Sequence, residues 1–220
     1  MTDPELFATI RDRLFTAVIG DVMDKAGLMH QFLPAAIRGI EPDAVVVGRA
    51  MPVLVEDVKP GEDAGEAYGI MFRALDELRP GEVYLTAGGS PDYALWGGLM
   101  SSRAMRLGAA GAVFEGLHRD TREIIRMKFP LFSLGAYAKD QKDRGRAVDY
   151  RCPITFSNGV TAAPGDLVVG DLDGVVVVPA DAAPDIVAEA LAKVSGEDEV
   201  RRAIEAGEPT GAIFRRTGIM

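Results

Sequence analysis

The sequence predicts an α/β domain with a mixed sheet flanked by helices, and three observations predict it. Short β-branched runs alternate with helical stretches from 44 to 178, the order of a layered α/β architecture. Both ends of the chain carry helical periodicity instead, as in Leu6, Phe7, Ile10, Leu14 and Phe15. Between 151 and 179 the strand-like runs follow one another closely, separated by the turn signals "SNG", "APGD" and "DLDG". Those are hairpin spacings, so that part of the sheet is expected to be antiparallel or mixed.

The elements follow in order. "DPELFATIRDRLF" offers Asp3 as N-cap and Pro4 in the first turn of a first helix. A second helix starts at Thr16 and stops near Gly27, with Val18, Ile19, Val22 and Met23 facing inward. Strands are expected at 44–48, 51–56, 82–86, 110–115, 130–135, 152–156, 166–171 and 174–179. Several are apolar without alternation, which fits strands covered on both faces. Helices are expected at 65–78, near 96–107 and at 121–127, and the chain returns to helix with "PADAAPDIVAEALAKV" and then "GEDEVRRAIEAG". No linker-like segment divides the chain. It reads as one domain: a helical segment 1–40, an α/β core 44–179 and a C-terminal helix pair 180–206.

Composition narrows the function. With 220 residues, 48% hydrophobic and 26% charged, the chain has material for a sizeable core. A net charge of −9 disfavours attraction to phosphate backbones or anionic lipid, so neither nucleic acid nor a membrane is expected as a partner. The stretch "KDQKDRGR" (139–146) alternates sign and reads as a solvated loop. Cys152 is the only cysteine, which excludes an intramolecular disulfide and a Cys-rich zinc site; in "CPITF" it reads as a small apolar residue. The N-terminus lacks the basic and apolar regions of a secretory signal, and no apolar run is long enough to span a bilayer. A cytoplasmic location is the expectation.

The stretch 88–130 carries the most chemistry. Its first half runs from a Gly/Ser/Pro loop into "ALWGGLMSSRAMRLG", a helix that opens on two glycines. Amides in a first helical turn lack intrahelical acceptors, so those of Leu99 and Met100 are candidates for holding a carboxylate beside Gly98. Packing or turn formation also accounts for such a glycine pair. In its second half, strand "GAVFE" leads through "GLHRD" into helix "TREIIRM", and Arg119 and Asp120 lie in the turn. A guanidinium grips a carboxylate through two parallel bonds, and an aspartate is a hard oxygen ligand for magnesium. A plain ion pair with Asp120 as helix N-cap is the alternative.

Other acidic residues are less telling. Asp166, Asp171 and Asp173 sit in turn contexts, and Glu56, Asp57, Glu62, Asp63 and Glu66 surround a Pro-Gly turn and read as a solvated cluster. His30 and His118 are the only histidines, too few for a histidine metal cage. Of the two, His118 neighbours Arg119 and can serve proton transfer, although a packing role explains it equally.

Three segments, "ALWGGLMSSRAMRLGAAGAVFEGLHRDTREI", "FPLFSLG" and "SNGVTAAPGDLVVGDLDGVVVVP", resemble the RraA-like family, which includes metal-dependent 4-hydroxy-4-methyl-2-oxoglutarate and 4-carboxy-4-hydroxy-2-oxoadipate aldolases. The resemblance implies an αββα sandwich of the swivelling β/β/α type, built as a homotrimer or a dimer of trimers with sites between subunits. It implies Mg²⁺ or Mn²⁺ as cofactor and a small 2-oxo acid as substrate, cleaved or decarboxylated through an enolate that the cation stabilises. Arg119 would grip the 2-oxo acid and Asp120 would bind the cation. Glu197, or Glu199 after it, is the best match for a carboxylate that reaches the metal waters from a neighbouring subunit. Aldolase members carry an acidic residue where this chain has Gly98, a departure that puts standard aldolase competence in question. With no side chain there, water at the cation, Glu115 and His118 are the candidates for general base. The family's namesake regulates a ribonuclease through protein contact, so the resemblance also leaves open a non-catalytic binding role. A different reaction on a related small acid, with Gly98 enlarging the pocket, is a third reading.

Overall fold

The computed structural model describes residues 2–59, 61–62 and 68–219. Helices α1 (Asp3–Arg13) and α2 (Thr16–Lys25) lead to β1 (Arg38–Gly39) and the long strand β2 (Val46–Asp57). There follow α3 (Gly69–Asp76), β3 (Glu82–Ala87), β4 (Ala94–Trp96), α4 (Gly98–Arg106), β5 (Gly111–Phe114), β6 (Leu117–His118) and α5 (Thr121–Met127). The chain continues through β7 (Leu131–Ser133), β8 (Gly135–Ala136), β9 (Gly145–Tyr150), β10 (Ile154–Thr155), β11 (Thr161–Ala162), β12 (Leu167–Asp171) and β13 (Gly174–Val178). Two helices, α6 (Ala183–Glu205) and α7 (Thr210–Thr217), close it.

The main sheet has the order β1-β7-β5-β3-β2-β12-β13, with β9 also on β2. Pairs β2–β3, β3–β5 and β5–β7 are parallel, whereas β12 runs antiparallel to both β2 and β13. The mixed sheet is therefore the one expected; β10 and β11 form a further hairpin across the "SNG" turn signal, although the sequence predicts no strand at 161–162. Valine-rich strands suit it because helices cover both faces. Leu6, Phe7 and Ile10 of α1, Val18, Ile19 and Met23 of α2, and Ile186 and Val187 of α6 pack on Val47, Val169 and Val176. On another face Ala74 and Leu75 of α3, Ala104 of α4 and Ile124 of α5 cover Met51, Val53, Tyr84 and Phe114.

Several boundaries differ from the expectation. The runs 44–48 and 51–56 are one strand, because Arg49 stays in the ladder opposite Leu167 and Glu82 while its guanidinium reaches Asp3 at 2.6 Å. Thr2, not Asp3, caps α1, with Glu5 returning to the Thr2 amide at 2.8 Å. The expected C-terminal pair is a single helix of 23 residues followed by the unexpected α7. Gly196 inside α6 costs about 1 kcal/mol of helix propensity, but a Cβ there would lie 2.6 Å from Ile219 Cδ1, so the chain end packs where the glycine leaves room. The helix expected at 65–78 is seen as α3; its first three positions lie outside the described residues.

A second, three-stranded sheet, β4-β6-β8, positions the site. β4 and β6 run parallel with Trp96 opposite His118, and each turns at its carboxyl end into a helix, α4 and α5 respectively. Two helix starts are thereby brought side by side.

Candidate active site

The corner is anchored by its backbone. The Arg119 amide donates to the Trp96 carbonyl at 2.9 Å, tying the turn before α5 to the turn before α4. Trp96 is buried, donates from Nε1 to Ser101 Oγ at 2.7 Å, and stacks on Phe129 with a centroid distance of 5.8 Å. Ser101 in turn donates from its amide to the Gly97 carbonyl, the first intrahelical bond of α4. Asp120 caps α5 in the left-handed region, φ 60°, which aspartate tolerates better than most residues but at a cost.

That conformation aims the Asp120 carboxylate across to α4. Its Oδ2 accepts the Gly98 amide at 3.0 Å and lies 3.9 Å from Arg119 Nε, while no described residue hydrogen-bonds Oδ1. Arg119 is held from the other side by Asp140, whose Oδ1 is 3.3 Å from its Nη1. Asp140 Oδ2 accepts the Tyr68 hydroxyl at 2.7 Å. Burial, and next the bond to Asp140, push the Tyr68 hydroxyl up to about 12, so it stays protonated and donates. Tyr68, Trp96, Leu99, Arg119, Asp120 and Asp140 all line one cavity of about 210 Å³. That is small for a drug-sized ligand and suited to an acid of a few carbons. The Leu99 and Met100 residues face it, and no described residue accepts from their amides. Leu99 is 84% exposed and Phe72 is 51% exposed at the rim.

Tyr68, Asp140 and Gln141 escaped the sequence reading. The segment 139–146, expected to be a solvated loop, carries Asp140 and the 4%-exposed Gln141 into the cavity wall and then becomes β9. Its alternating charge was the one local signal, and it pointed outward. The acidic cluster reads as expected where it is described: Asp57 accepts from the Ser90 amide and the Tyr93 hydroxyl, and Glu62 pairs with Arg146. Asp63 and Glu66 lie outside the described residues. Cys152 is half-buried, and burial pushes its thiol up, as befits a packing residue.

A family model described as "RraA-like: Aldolase/RraA" matches residues 16–177. The chain belongs to the RraA-like family. It is 32% identical over 190 residues to a Halalkalibacterium halodurans protein named "Putative 4-hydroxy-4-methyl-2-oxoglutarate aldolase", covering 86% of this chain and 84% of that one. It is 28% identical over 193 residues to Protein DlpA of Legionella pneumophila, covering 87% of this chain but 30% of the much longer relative. Among solved structures, an uncharacterized Pseudomonas syringae protein superposes with a TM-score of 0.82 at 27% identity, covering 96% of each chain. RraAS2 of Streptomyces coelicolor, described as an unusual member of the RNase ES inhibitor RraA family, gives 0.80 at 25% identity over 92% of this chain and 99% of its own.

Within this RraA-like fold the other predicted site residues fall elsewhere. Glu115 does not line the cavity; its carboxylate accepts the Ser157 amide at 2.9 Å and the Ser157 hydroxyl. His118 is 2% exposed, with Nδ1 2.8 Å from Ser133 Oγ and Nε2 buried without a partner among the described residues. Burial holds its imidazole below the ordinary value, in the neutral form. Glu197 pairs with Lys193 on α6 and is not part of its own chain's cavity; Glu199 pairs with Arg216. Among the described residues no group of three or more acidic, histidine or cysteine side chains is arranged around a metal position, and no helix is long and apolar enough to cross a membrane.

Proposed function

We propose that the Arg119–Asp120 corner is the site of a divalent-metal-dependent lyase that cleaves or decarboxylates a small 2-oxo acid, of the 4-hydroxy-4-methyl-2-oxoglutarate or oxaloacetate type. One observation carries it: Asp120, in a strained left-handed turn, keeps one oxygen without a hydrogen bond among the described residues and lines, with Arg119, a cavity of small-acid size. The donor set fits Mg²⁺ or Mn²⁺. Magnesium retains most of its waters and is commonly held by one or two carboxylates, so the absence of a three-ligand cluster among the described residues does not count against it. Such a cation, bound at Asp120, would supply Lewis acidity to the electrons released as the carbon–carbon bond breaks.

The chain's own residues do the rest. Arg119 binds the substrate carboxylate, and Asp140 with Tyr68 fixes the guanidinium plane. The amides of Leu99 and Met100, at the positive end of α4, hold the same anion and favour the charge that grows on it. Trp96 and the apolar rim exclude bulk water. Since Glu115 is engaged by Ser157 and His118 is sealed in the interior, solvent held at Asp120 is the acceptor for the substrate hydroxyl proton. The exposure of Leu99 and Phe72 beside the cavity supports the homotrimer reading, in which a neighbouring copy covers the rim and brings Glu197 toward the site. The names of aldolase relatives support the reaction class.

The test is pyruvate release from 4-hydroxy-4-methyl-2-oxoglutarate, 4-carboxy-4-hydroxy-2-oxoadipate and oxaloacetate, with and without EDTA. Turnover abolished by EDTA and restored by Mg²⁺ is expected. No turnover of any of the three, together with no Mg²⁺ binding, removes the lyase reading. The same exposed rim then favours the second reading, a protein-binding regulator of ribonuclease activity, for which RraAS2 is the structural parallel.

A further inference from the structure

Gly98 leaves a space, and a carboxylate fills it. A Cβ built on Gly98 would fall on the Glu123 carboxyl group, with Cδ 2.6 Å away. A Cβ on Gly97 would lie 2.7 Å from Asp120 Oδ2. Each glycine at the start of α4 therefore makes room for one acid from the start of α5, and the pair is dictated by two carboxylates that converge on it.

Glu123 is in an unusual state for its position. It is the third residue of α5, where a glutamate ordinarily folds back to the N-cap amide. Here no side-chain cap bond forms: the Glu123 amide donates to the Asp120 carbonyl at 2.9 Å, while its carboxylate makes no hydrogen bond or ion pair with any described residue. Arg119 is already engaged from the other side, with Asp140 closer to it than Asp120 is, 3.3 Å against 3.9 Å. Two like charges are thus brought to adjacent glycines, an arrangement that attracts a further cation. A divalent cation with its water shell supplies that positive charge. We propose that Glu123 is a second acidic group for the cation, set beside Asp120 by the missing side chain at position 98, and that it acts on the cation through water. The aldolase resemblance expects an acid at position 98; on this inference the chain keeps the charge and supplies it from the neighbouring helix.

The inference rests on the metal-dependent reading above, and its test separates the two. Mn²⁺ binding to the full chain is measured by calorimetry and by the electron paramagnetic resonance signal of the free ion, for the unmodified protein, Glu123→Gln, Gly98→Asp, and the double variant Gly98→Asp/Glu123→Ala. Glu123 is exposed, so Glu123→Gln leaves the melting temperature in place. It is expected to weaken Mn²⁺ binding about tenfold or more, the usual loss when a group outside the direct ligands is removed. Gly98→Asp alone has to displace Glu123 and gains nothing, whereas the double variant regains most of the affinity because the acid returns from the other helix. Unchanged affinity in Glu123→Gln overturns the inference and leaves the lyase reading standing. Tighter oxalate binding in Glu123→Gln at unchanged Mn²⁺ affinity also overturns it, by showing Glu123 to be a competitor for the α4 amides. An unmodified protein that binds no Mn²⁺ overturns both.

Discussion

Two corners of this molecule are built on aspartates, and they use them differently. At the end of β12, Asp171 accepts the Thr16 amide at 2.7 Å on one oxygen, and the Thr16 hydroxyl at 2.6 Å and the Asp173 amide at 2.9 Å on the other. Asp166, at the other end of the same strand, accepts the amides of Ala163 and Ala180, one per oxygen. Every oxygen of the two is engaged within the fold, and Asp171 ties the start of α2 to the end of β12. Asp120 spends one oxygen on the Gly98 amide, leaves the other unused, and stands in a left-handed conformation next to an arginine. The two structural aspartates have all their oxygens engaged, whereas Asp120 leaves one open and accepts strain, as the proposed ligand role requires.

The comparison is broken most directly at Asp120. Asparagine tolerates the left-handed region, so Asp120→Asn removes the charge and keeps the turn. We expect metal-dependent turnover to fall by about 10²-fold or more, with the melting temperature within about 2 °C of the parent. Steady-state kinetics across a Mg²⁺ series check this; undiminished turnover would make Asp120 another structural aspartate. Next in size is the mirror experiment, Asp171→Ala. It leaves the Thr16 amide at the start of α2 unpaired and is expected to cost about 1–2 kcal/mol in urea denaturation, without changing kcat or KM. A loss of turnover at constant stability would show that the two corners are not separable.

The sequence showed the architecture well and the site unevenly, for physical reasons that particular residues make plain. The strand 174–178 was legible because burial on both faces demands an uninterrupted apolar run, and α5 was legible because its start is punctuated by Asp120 and Thr121. Arg49 hid the continuity of β2, since a charged residue inside a strand reads as a break unless its partner Asp3 is known. In the site, Arg119 and Asp120 stood out as neighbours in one turn. Asp140 and Tyr68 did not, since both reach the cavity from distant loops through contacts that no spacing encodes. The absence of a side chain at Gly98 was visible in the sequence, but its occupant was not, because Glu123 enters that space from another helix. Proximity along the chain misled in the case of Glu115 and His118: both flank the turn, yet Glu115 is drawn to Ser157 and His118 turns into the interior beside Ser133.

The smallest effect sharpens the comparison within the site itself. Tyr68 donates to the oxygen of Asp140 that does not face Arg119, so it orients the aspartate and, through it, the guanidinium. With its hydroxyl pushed up to about 12, first by burial, it neither ionises nor supplies a charge near neutral pH. Tyr68→Phe removes one hydrogen bond, about 0.5–1.5 kcal/mol in net terms, and leaves the ring to line the cavity. A positioning role predicts that KM for the 2-oxo acid rises a fewfold, on the order of the rate equivalent of that bond, while kcat holds and the pH profile below 9 keeps its shape. A fall in kcat with KM unchanged would instead make Tyr68 a proton donor in the chemical step, and the contrast would then lie between Tyr68 and Asp120 as two reacting groups, with Asp140 left as a bystander that merely pairs with Arg119.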